Sequence, residues 1–413
     1  MTQLAPWRRV GLFGLFGVGN LGNDGSLEAL LAYLAAAHPE AEITSMCAGP
    51  DRVAARYGLA TTPLNWYSGE YRTVSGPRAV LAKAFGKAVD LVRVTAWVRR
   101  HDIVIVPGMG VLEASVPLRP WSFPFSLLLL SVAGRITRRP VALVSVGAEV
   151  IHNRAVRWVL VSAARLARYR SFRDTASREA MRTMGVDVSA DRVGPDLVFG
   201  LPVPPPADHP VPEGVEPEAV VGVGVMDYYG SNDERRQADV LGRRYREAIA
   251  AFVCWLVDNG RAVRLFTGDD VDDVVVGYIQ EHVRTERPGL DPRRVEAVRV
   301  ETITELMAEI RTVGTFVGTR FHNVLCALLV SVPTLSLGYS HKHEALMADM
   351  GLGDYSQAAR SVDLDLMVKQ FEALEEHRDA LVEILQMRNR EQRLALQEMF
   401  AHLPVAGTAP VGG

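Results

Sequence analysis

Three basic side chains follow two strand-like segments in the C-terminal part of the chain. Residues 315–344 read TFVGTRFHNVLCALLVSVPTLSLGYSHKHE. Arg320 and His322 come directly after the first apolar run, 315–319, and Lys342 follows the second, 333–338. Guanidinium and ammonium groups bind phosphate and carboxylate, and an imidazole can also transfer a proton near neutral pH. The residue types therefore indicate recognition of an anion coupled to proton transfer.

The elements around these residues must bring them together. Each apolar run is followed by a helical pattern, at 322–331 and 342–350. In a parallel α/β sheet the carboxyl ends of the strands share one edge, and helix N-termini there add N–H donors. If the two strands are neighbours, the sequence predicts a cationic pocket for a phosphate, a carboxylate or both. The alternative is that each charge is simply exposed to solvent.

A glycine-rich turn near the N-terminus is a second candidate. GLFGVGNLGNDGSLEAL (14–30) follows a buried strand pattern and leads into a helix predicted from about Asp24. It matches neither GxGxxG nor GK[ST], so neither a dinucleotide fold nor a P-loop is indicated. Asn20, Asn23 and Asp24 are candidates for hydrogen bonds to sugar hydroxyls. A helix cap at Asn23 or Asp24 is an equally good interpretation.

Two other segments carry candidate side chains. SFRDTAS places Arg173 at a predicted strand end and Asp174 at the N-cap of the next helix. MDYYGSNDERR (226–236) offers Tyr228 or Tyr229 for stacking against a sugar. An exposed turn without a binding role explains this sequence equally well. The acceptor residues are expected in variable loops such as 60–80 and 226–236.

Two series of alternating strands and helices predict an α/β fold with two doubly wound, Rossmann-like domains. LPVPPPADHPVPEGVEPE contains seven prolines and predicts a stiff connector between them. The predicted organisation is an N-terminal domain on the acceptor side (1–200), a proline-rich linker (201–218) and a C-terminal domain on the donor side (219–360). A helical segment with a long amphipathic C-terminal helix (361–403) and a disordered tail (404–413) follow.

Composition excludes several classes of protein. The net charge of −3 over 413 residues argues against nucleic acid as a partner. Three cysteines without a CxxC pair indicate a reducing compartment, and no export signal is recognisable, so we expect a cytoplasmic protein. FPFSLLLLSVA (123–133) is too short to span a bilayer and predicts a buried helix. Contact with the inner face of the membrane is left open.

Metal chemistry is not indicated by the sequence. There is no HExxH motif and no His/Cys cluster. GDDVDD (268–273) is interpreted as a helix start, with metal binding as the less favoured alternative. We expect no metal and no cofactor.

The glycine-rich turn, SFRDTAS and above all GTRFHNVLCALLVSVPTLSLGYSHKHEALMADMGL resemble the polysaccharide pyruvyl transferase family. The resemblance covers about residues 10–355. It implies a GT-B-like fold, two Rossmann-like domains around a cleft, and transfer of a pyruvyl group from phosphoenolpyruvate to two sugar hydroxyls as a ketal. Phosphoenolpyruvate would be a co-substrate, and the acceptor a saccharide or a lipid-linked saccharide of a cell-surface glycan.

The same resemblance assigns roles to individual residues. By motif, His322 corresponds to the family's donor-site histidine, and Arg173, Arg320 and Lys342 to its donor-binding residues. Tyr339 belongs to the Y-x-x-K part of the signature and is a candidate cleft residue. Where family members often read G-N-x-G-D-E, this chain has its acidic residue, Asp24, one position later.

Two alternatives remain at this stage. The first is a GT-B glycosyltransferase that holds a nucleotide-sugar diphosphate with Arg320 and Lys342. The second is a non-catalytic relative that binds anions without turnover.

Overall fold

The computed structural model describes residues 7–66, 77–113, 121–230 and 237–404, with side chains of the second stretch from Phe85 onward. Parts of the two expected acceptor loops, 67–76 and 231–236, and almost all of the expected tail, 405–413, lie outside these residues.

The first sheet is entirely parallel, with strand order β3-β2-β1-β4-β5-β6-β7. Its strands are β1 (Arg9–Gly14), β2 (Glu42–Cys47), β3 (Ala60–Pro63), β4 (Ile103–Pro107), β5 (Val141–Val146), β6 (Tyr169–Phe172) and β7 (Arg192–Val193). The helices of this half are α1 (Leu21–Ala37), α2 (Pro50–Tyr57), α3 (Pro77–Arg99), α4 (Phe123–Thr137), α5 (Arg154–Leu166) and α6 (Thr175–Thr183).

The second sheet is also parallel, with order β10-β9-β8-β11-β12-β13. Its strands are β8 (Val220–Gly224), β9 (Ala262–Phe266), β10 (Val295–Val298), β11 (Thr315–Gly318), β12 (Thr334–Gly338) and β13 (Ser356–Ala358). The helices are α7 (Ala238–Asp258), α8 (Asp273–Glu286), α9 (Ile303–Ile310), α10 (Phe321–Leu329), α11 (His341–Asp349), α12 (Leu364–Glu376) and α13 (Arg378–Phe400).

The strands β8, β9, β11 and β12 are buried along their whole length. This is expected of parallel strands covered by helices on both faces, and it explains their continuous apolar sequences. The prediction of two doubly wound α/β halves is confirmed. The long C-terminal helix is also present as α13, preceded by the shorter α12 with His377 between them.

Two compact units divide the chain. The first contains residues 1–18, 26–200 and 394–413, and the second contains 19–25 and 201–393. The glycine-rich segment 19–25 therefore belongs with the second unit, although it is distant from that unit in sequence.

The proline-rich segment after residue 200 is fixed to the second unit by side chains of its sheet and helices. Arg264, in the middle of β9, donates to the carbonyl oxygens of His209 (3.2 Å) and Pro210 (3.0 Å). The His209 ring lies between two carboxylates, 2.9 Å from Glu309 and 3.1 Å from Glu296. Burial lowers the pKa of Arg264 from its usual range, although the two nearby carboxylates act in the opposite direction.

Helix α4 is a core element. Leu127 and Leu130 are fully buried, and Leu128 and Leu129 are nearly so. The apolar run at 123–133 is therefore a buried helix, as predicted. Among the helices in the described ranges, none is long and apolar enough to cross a membrane.

Helix α13 holds the C-terminal end of α10, the helix that begins beside His322. The buried side-chain amide of Asn389 donates to the carbonyl oxygens of Leu328 (2.9 Å) and Leu329 (3.0 Å) and to Ser331 Oγ (3.2 Å). Carbonyl groups in the last turn of a helix lack an N–H partner four residues further on. The Asn389 amide supplies a donor to the Leu329 carbonyl and a second donor to the Leu328 carbonyl, which also accepts from the Ser331 N–H at 3.0 Å.

We expect Asn389→Ala to lower the free energy of unfolding by about 1–3 kcal/mol, because the buried Leu329 carbonyl would lose the Asn389 amide and the Leu328 carbonyl would be left with the Ser331 N–H. Urea unfolding followed by circular dichroism measures this. Met387→Ala, at an exposed position of the same helix, should change stability by less than about 0.5 kcal/mol. Equal stability of the two variants would contradict the capping role of Asn389.

Candidate active site

Strands β11 and β12 are parallel neighbours, so Arg320, His322 and Lys342 follow the same edge of the second sheet. Helix α10 begins at Phe321 and α11 at His341, immediately beyond the two strand ends. Both helices thus begin at the edge where their backbone N–H groups add positive potential.

The ring of Phe321 joins the two strand ends. Its centroid is 5.2 Å from that of His322 and 5.4 Å from the ammonium nitrogen of Lys342. The same ammonium lies 5.7 Å from the Tyr339 ring centroid. Two aromatic rings therefore hold Lys342 by cation–π attraction. Phe321 thus brings His322, Tyr339 and Lys342 into one group.

Arg320 is held by a buried carboxylate, that of Asp272. Its Nε lies 2.8 Å from Oδ2 and its Nη2 2.5 Å from Oδ1, a bidentate pair. Burial alone would lower the pKa of Arg320, but the hydrogen bonds and charge of Asp272 raise it above the usual range. Within the described parts of the chain, Nη1 of Arg320 makes no hydrogen bond, so that edge is available to an anion.

Asp272 is fully buried and binds more than Arg320. It accepts hydrogen bonds from the backbone N–H groups of Asp227 (2.9 Å) and Gly268 (3.2 Å). Each of these residues lies in a loop at the carboxyl edge of a neighbouring strand. Fixed dipoles and one opposite charge therefore compensate for the desolvation of this carboxylate.

Thr319, His343 and Tyr245 form a further layer beneath the loop that carries Arg320. Tyr245 Oη is 2.7 Å from Thr319 Oγ1, and His343 Nε2 donates to the Thr319 carbonyl at 3.1 Å. Because that carbonyl can only accept, the proton of a neutral His343 is on Nε2. Burial raises the pKa of Tyr245 well above its usual range, so its phenol stays neutral.

The glycine-rich turn contacts the same site. Asn20 caps α1 by accepting from the N–H of Asn23 at 3.1 Å, and its Nδ2 lies 3.4 Å from Asp269. A Cβ on Gly22 would lie 2.1 Å from Nδ1 of His322, so only glycine lets the backbone come this close to the imidazole. The turn therefore positions the histidine.

The helix of this turn begins earlier than the sequence suggested. α1 starts at Leu21, so Asn23 and Asp24 lie in its first turn, and Asp24 is buried. The alternative of a cap at Asn23 or Asp24 is wrong, because the Asn20 side chain fills that role. Asn20 is two residues from Gly22, which lies against His322, and its side chain is bonded to Asp269.

Arg173 belongs to the first unit, whereas Arg320, His322 and Lys342 belong to the second. It is buried and pairs closely with Glu113, with carboxylate oxygens of Asp174 and Asp196 at 3.7 and 3.8 Å. Asp174 also accepts from the Ser177 N–H, as the predicted N-cap. One guanidinium thus faces three carboxylates in a buried setting.

The backbone around Arg173 has unusual conformations. Ser145, in β5, has φ of 53°, and the register of β5 against β6 shifts next to it. Its Oγ donates to the Pro195 carbonyl at 2.6 Å, and its N–H donates to Ser171 Oγ at 2.8 Å. A Cβ on Gly147 would lie 2.5 Å from Nη2 of Arg173, so glycine is needed here. A positive φ at a serine is a strained backbone conformation, and it persists only where the surrounding contacts hold the residue in place.

The two tyrosines of the 226–236 loop differ in exposure. Tyr228 is buried against Tyr245, with ring centroids 5.7 Å apart, and Tyr229 is 58% exposed. Tyr228 is thus a core residue, and of the two only Tyr229 presents a ring to solvent.

The family model of polysaccharide pyruvyl transferases matches residues 20–341. The chain belongs to the polysaccharide pyruvyl transferase family. The matched range begins at the helix cap Asn20 and contains Arg173, Arg320 and His322, and Lys342 follows its last residue. No curated protein matches the sequence of this family member.

Several solved structures share the fold of this pyruvyl transferase family member. UDP-GlcNAc 2-epimerase from Methanocaldococcus jannaschii is 9% identical, with TM-score 0.57 over 90% of this chain and 94% of that one. Anabaena HepE in complex with UDP is 12% identical, with TM-score 0.58 over 96% and 100%. The lipopolysaccharide outer core galactosyltransferase WaaB is 12% identical, with TM-score 0.50 over 94% and 99%. The prediction of a GT-B-like fold is confirmed.

Sequence reasoning missed Asp272, Gly22, Phe321 and His343 as parts of this site. GDDVDD was interpreted as a helix start, and Asp273 does begin α8, but Asp272 is the partner of Arg320. The signal that could have found it is an acidic residue at the carboxyl end of a strand near a cationic rim. No comparable signal pointed to the contact of Gly22 with His322.

We expect Gly22→Ala to lower pyruvyl transfer by about 100-fold, because the new methyl group displaces the imidazole of His322. Transfer of a labelled pyruvyl group measures the effect. Gly277→Ala, in α8, has open space around the new Cβ and is the matched control that should retain activity. Full activity of Gly22→Ala would contradict the positioning role.

We expect Asp272→Asn to lower the free energy of unfolding by about 3–5 kcal/mol, because Arg320 would lose its buried counter-charge. Asp270→Asn removes an exposed carboxylate from the same acidic run and should change stability by less than about 0.5 kcal/mol. Urea unfolding of both variants decides the matter, and equal midpoints would show that Asp272 is not essential to the fold.

Proposed function

We propose that the protein transfers a pyruvyl group from phosphoenolpyruvate to two hydroxyls of one sugar, forming a ketal and releasing phosphate. The observation that carries the proposal is the group of His322, Lys342 and Arg320 at one edge of the second sheet. Membership of the polysaccharide pyruvyl transferase family supports the reaction class.

Charge complementarity supports phosphoenolpyruvate as the donor. The donor carries a phosphate and a carboxylate, and the site offers the Nη1 edge of Arg320 and the ammonium of Lys342. Arg320 suits a planar, two-oxygen partner, whereas the Lys342 ammonium acts as a point charge. The N-termini of α10 and α11 add N–H donors for phosphate.

The imidazole of His322 is the group that moves protons in the proposed reaction. Protonation of the donor methylene by His322 forms the methyl C–H bond and makes the adjacent carbon electrophilic. A sugar hydroxyl adds to that carbon and gives up its proton to the imidazole. The bond from carbon to the phosphate oxygen then breaks, and cations stabilise the leaving phosphate.

A second hydroxyl of the same sugar closes the ring. Its proton leaves with phosphate, so one donor and one diol give one ketal and one hydrogen phosphate. No redox change takes place. We propose no metal and no organic cofactor, since the two cationic side chains supply the charge that the leaving phosphate requires.

The role of Arg173 stays a prediction taken from the family resemblance. Its guanidinium is already surrounded by Glu113, Asp174 and Asp196. A donor anion at Arg173 would need at least one of these carboxylates to move or to be protonated, because like charges repel. The variant Arg173→Lys tests this donor-binding role, and the measurement is the KM for phosphoenolpyruvate.

The acceptor is proposed to be a saccharide or a lipid-linked saccharide of the cell surface, modified in the cytoplasm or at the inner face of the membrane. Asn20 supports this proposal because it is two residues from Gly22, which lies against His322, and its side-chain amide is of a type that suits sugar hydroxyls. Asn23, Asp24 and Tyr339 stay candidates for the same role, since all three lie in or next to the segments around His322.

We expect His322→Ala to reduce phosphate release from phosphoenolpyruvate by about 100-fold or more when a saccharide acceptor is present. His341→Ala, which removes an exposed imidazole from the neighbouring helix start, is the matched control and should keep activity. Released phosphate is measured for both variants, with circular dichroism to check the fold.

Thermal stabilisation by each ligand, measured beside phosphate release, separates the alternatives. If nucleotide sugars stabilise the protein against heat and phosphoenolpyruvate does not, the donor is a nucleotide sugar. If phosphoenolpyruvate binds but no acceptor releases phosphate, the protein is a non-catalytic relative. Full activity of His322→Ala would remove the histidine from the mechanism.

A further inference from the structure

Helices α3 and α4 of the first unit expose large apolar side chains to solvent. Phe85 and Val92 on α3 are 62% and 69% exposed, and Ile136 on α4 is 63% exposed. Two tryptophans next to these helices, Trp66 and Trp121, are 52% and 65% exposed. Single exposed apolar residues are ordinary, whereas a contiguous group of them marks an interaction surface.

Ring contacts connect the aromatic residues of this surface that lie near the N-terminal parts of α3 and α4. The ring centroids of Trp66 and Phe85 are 5.9 Å apart, as are those of Trp121 and Phe125. The ammonium of Lys87 lies 5.7 Å from the Phe125 ring centroid and so connects α3 with α4. The aromatic side chains at this end therefore form one group around a lysine.

The other half of the surface is a depression of about 720 Å³ between the same helices. Leu91, Val92 and Ile136 form its apolar part, and Arg99 and Arg100 also line it. Because residues seven apart share a helix face, Val92 continues the stripe of Phe85. The two ends thus belong to one surface, which we call the α3/α4 surface.

The charges of the α3/α4 surface are mainly positive. Its acidic neighbours are already paired: Asp90 is buried and bound to Arg93 at 2.8 Å, and Asp102 lies 3.6 Å from Arg139. Within the residues that the structure describes, Arg99 and Arg100 form no ion pair. Exposed arginines thus adjoin the apolar stripe, and no carboxylate of the described ranges pairs with them.

We propose that the α3/α4 surface binds the surface of an anionic lipid bilayer. Tryptophan and phenylalanine rings are suited to the headgroup level, where one side is apolar and the other wet. Arginines beside them attract lipid phosphates, and each basic residue near an anionic surface strengthens binding. The proposal concerns a surface apart from the donor chemistry and does not depend on which pyruvyl donor is used.

The test uses the full chain and sedimentation with two kinds of vesicle, phosphatidylcholine alone and phosphatidylcholine with phosphatidylglycerol. The protein should sediment with the anionic vesicles. Arg99→Glu combined with Arg100→Glu should lower this partitioning by about 10-fold or more. Arg243→Glu combined with Arg244→Glu reverses an adjacent exposed pair on α7, changes net charge equally, and should keep partitioning.

The apolar part is tested separately by a matched pair of single substitutions. Val92→Glu should weaken binding to anionic vesicles several-fold, whereas Val274→Glu, on α8 with 59% exposure, should not. Absence of binding to anionic vesicles, or equal binding by Arg99→Glu/Arg100→Glu and the wild type, overturns the proposal. A third result also overturns it: the wild type is a dimer that binds no vesicles, and Val92→Glu is a monomer. The surface would then join two copies of the chain.

Discussion

The carboxylate of Asp272 joins three loops that leave one edge of the second sheet. It binds the guanidinium of Arg320 after β11, the N–H of Asp227 after β8 and the N–H of Gly268 after β9. A buried carboxylate without these partners would be strongly destabilising, so the loops are held where their donors meet it. The position of Arg320, and with it the start of α10, depends on this interaction.

His322 is fixed from two further directions. Its own helix starts one residue after Arg320, and at the other end the amide of Asn389 holds the carbonyl groups of that helix. On the open side, Gly22 comes so close to the ring that no other residue fits. A proton-transfer group works well only when its geometry is fixed, and here three separate segments of the chain fix it.

Local sequence was enough to predict the sheets and the edge where the basic residues lie. The apolar runs that become β11 and β12 are short and bounded by polar residues, so their ends could be located to within a residue or two. Parallel topology then placed Arg320, His322 and Lys342 at one edge. The family signature agreed with that placement.

Contacts between distant segments could not be predicted. Gly22 and His322 are 300 residues apart in sequence, and nothing in either segment indicates the other. In the sequence Asp272 is one of several acids at a predicted helix start, and its burial depends on the loops after three different strands. Asp174 is the sequence neighbour of Arg173, but Glu113 and Asp196 come from other places in the first unit, and local patterns give no sign of those two contacts.

The segment that follows residue 200 has a consequence for dividing the protein into pieces. Arg264 is almost completely buried in β9, and its partners include the carbonyl groups of His209 and Pro210. A fragment starting at β8 would therefore leave a guanidinium in the sheet without those acceptors. Any excised version of the second half must begin before His209, because the carbonyl groups of this proline-rich segment are acceptors for the guanidinium inside its sheet.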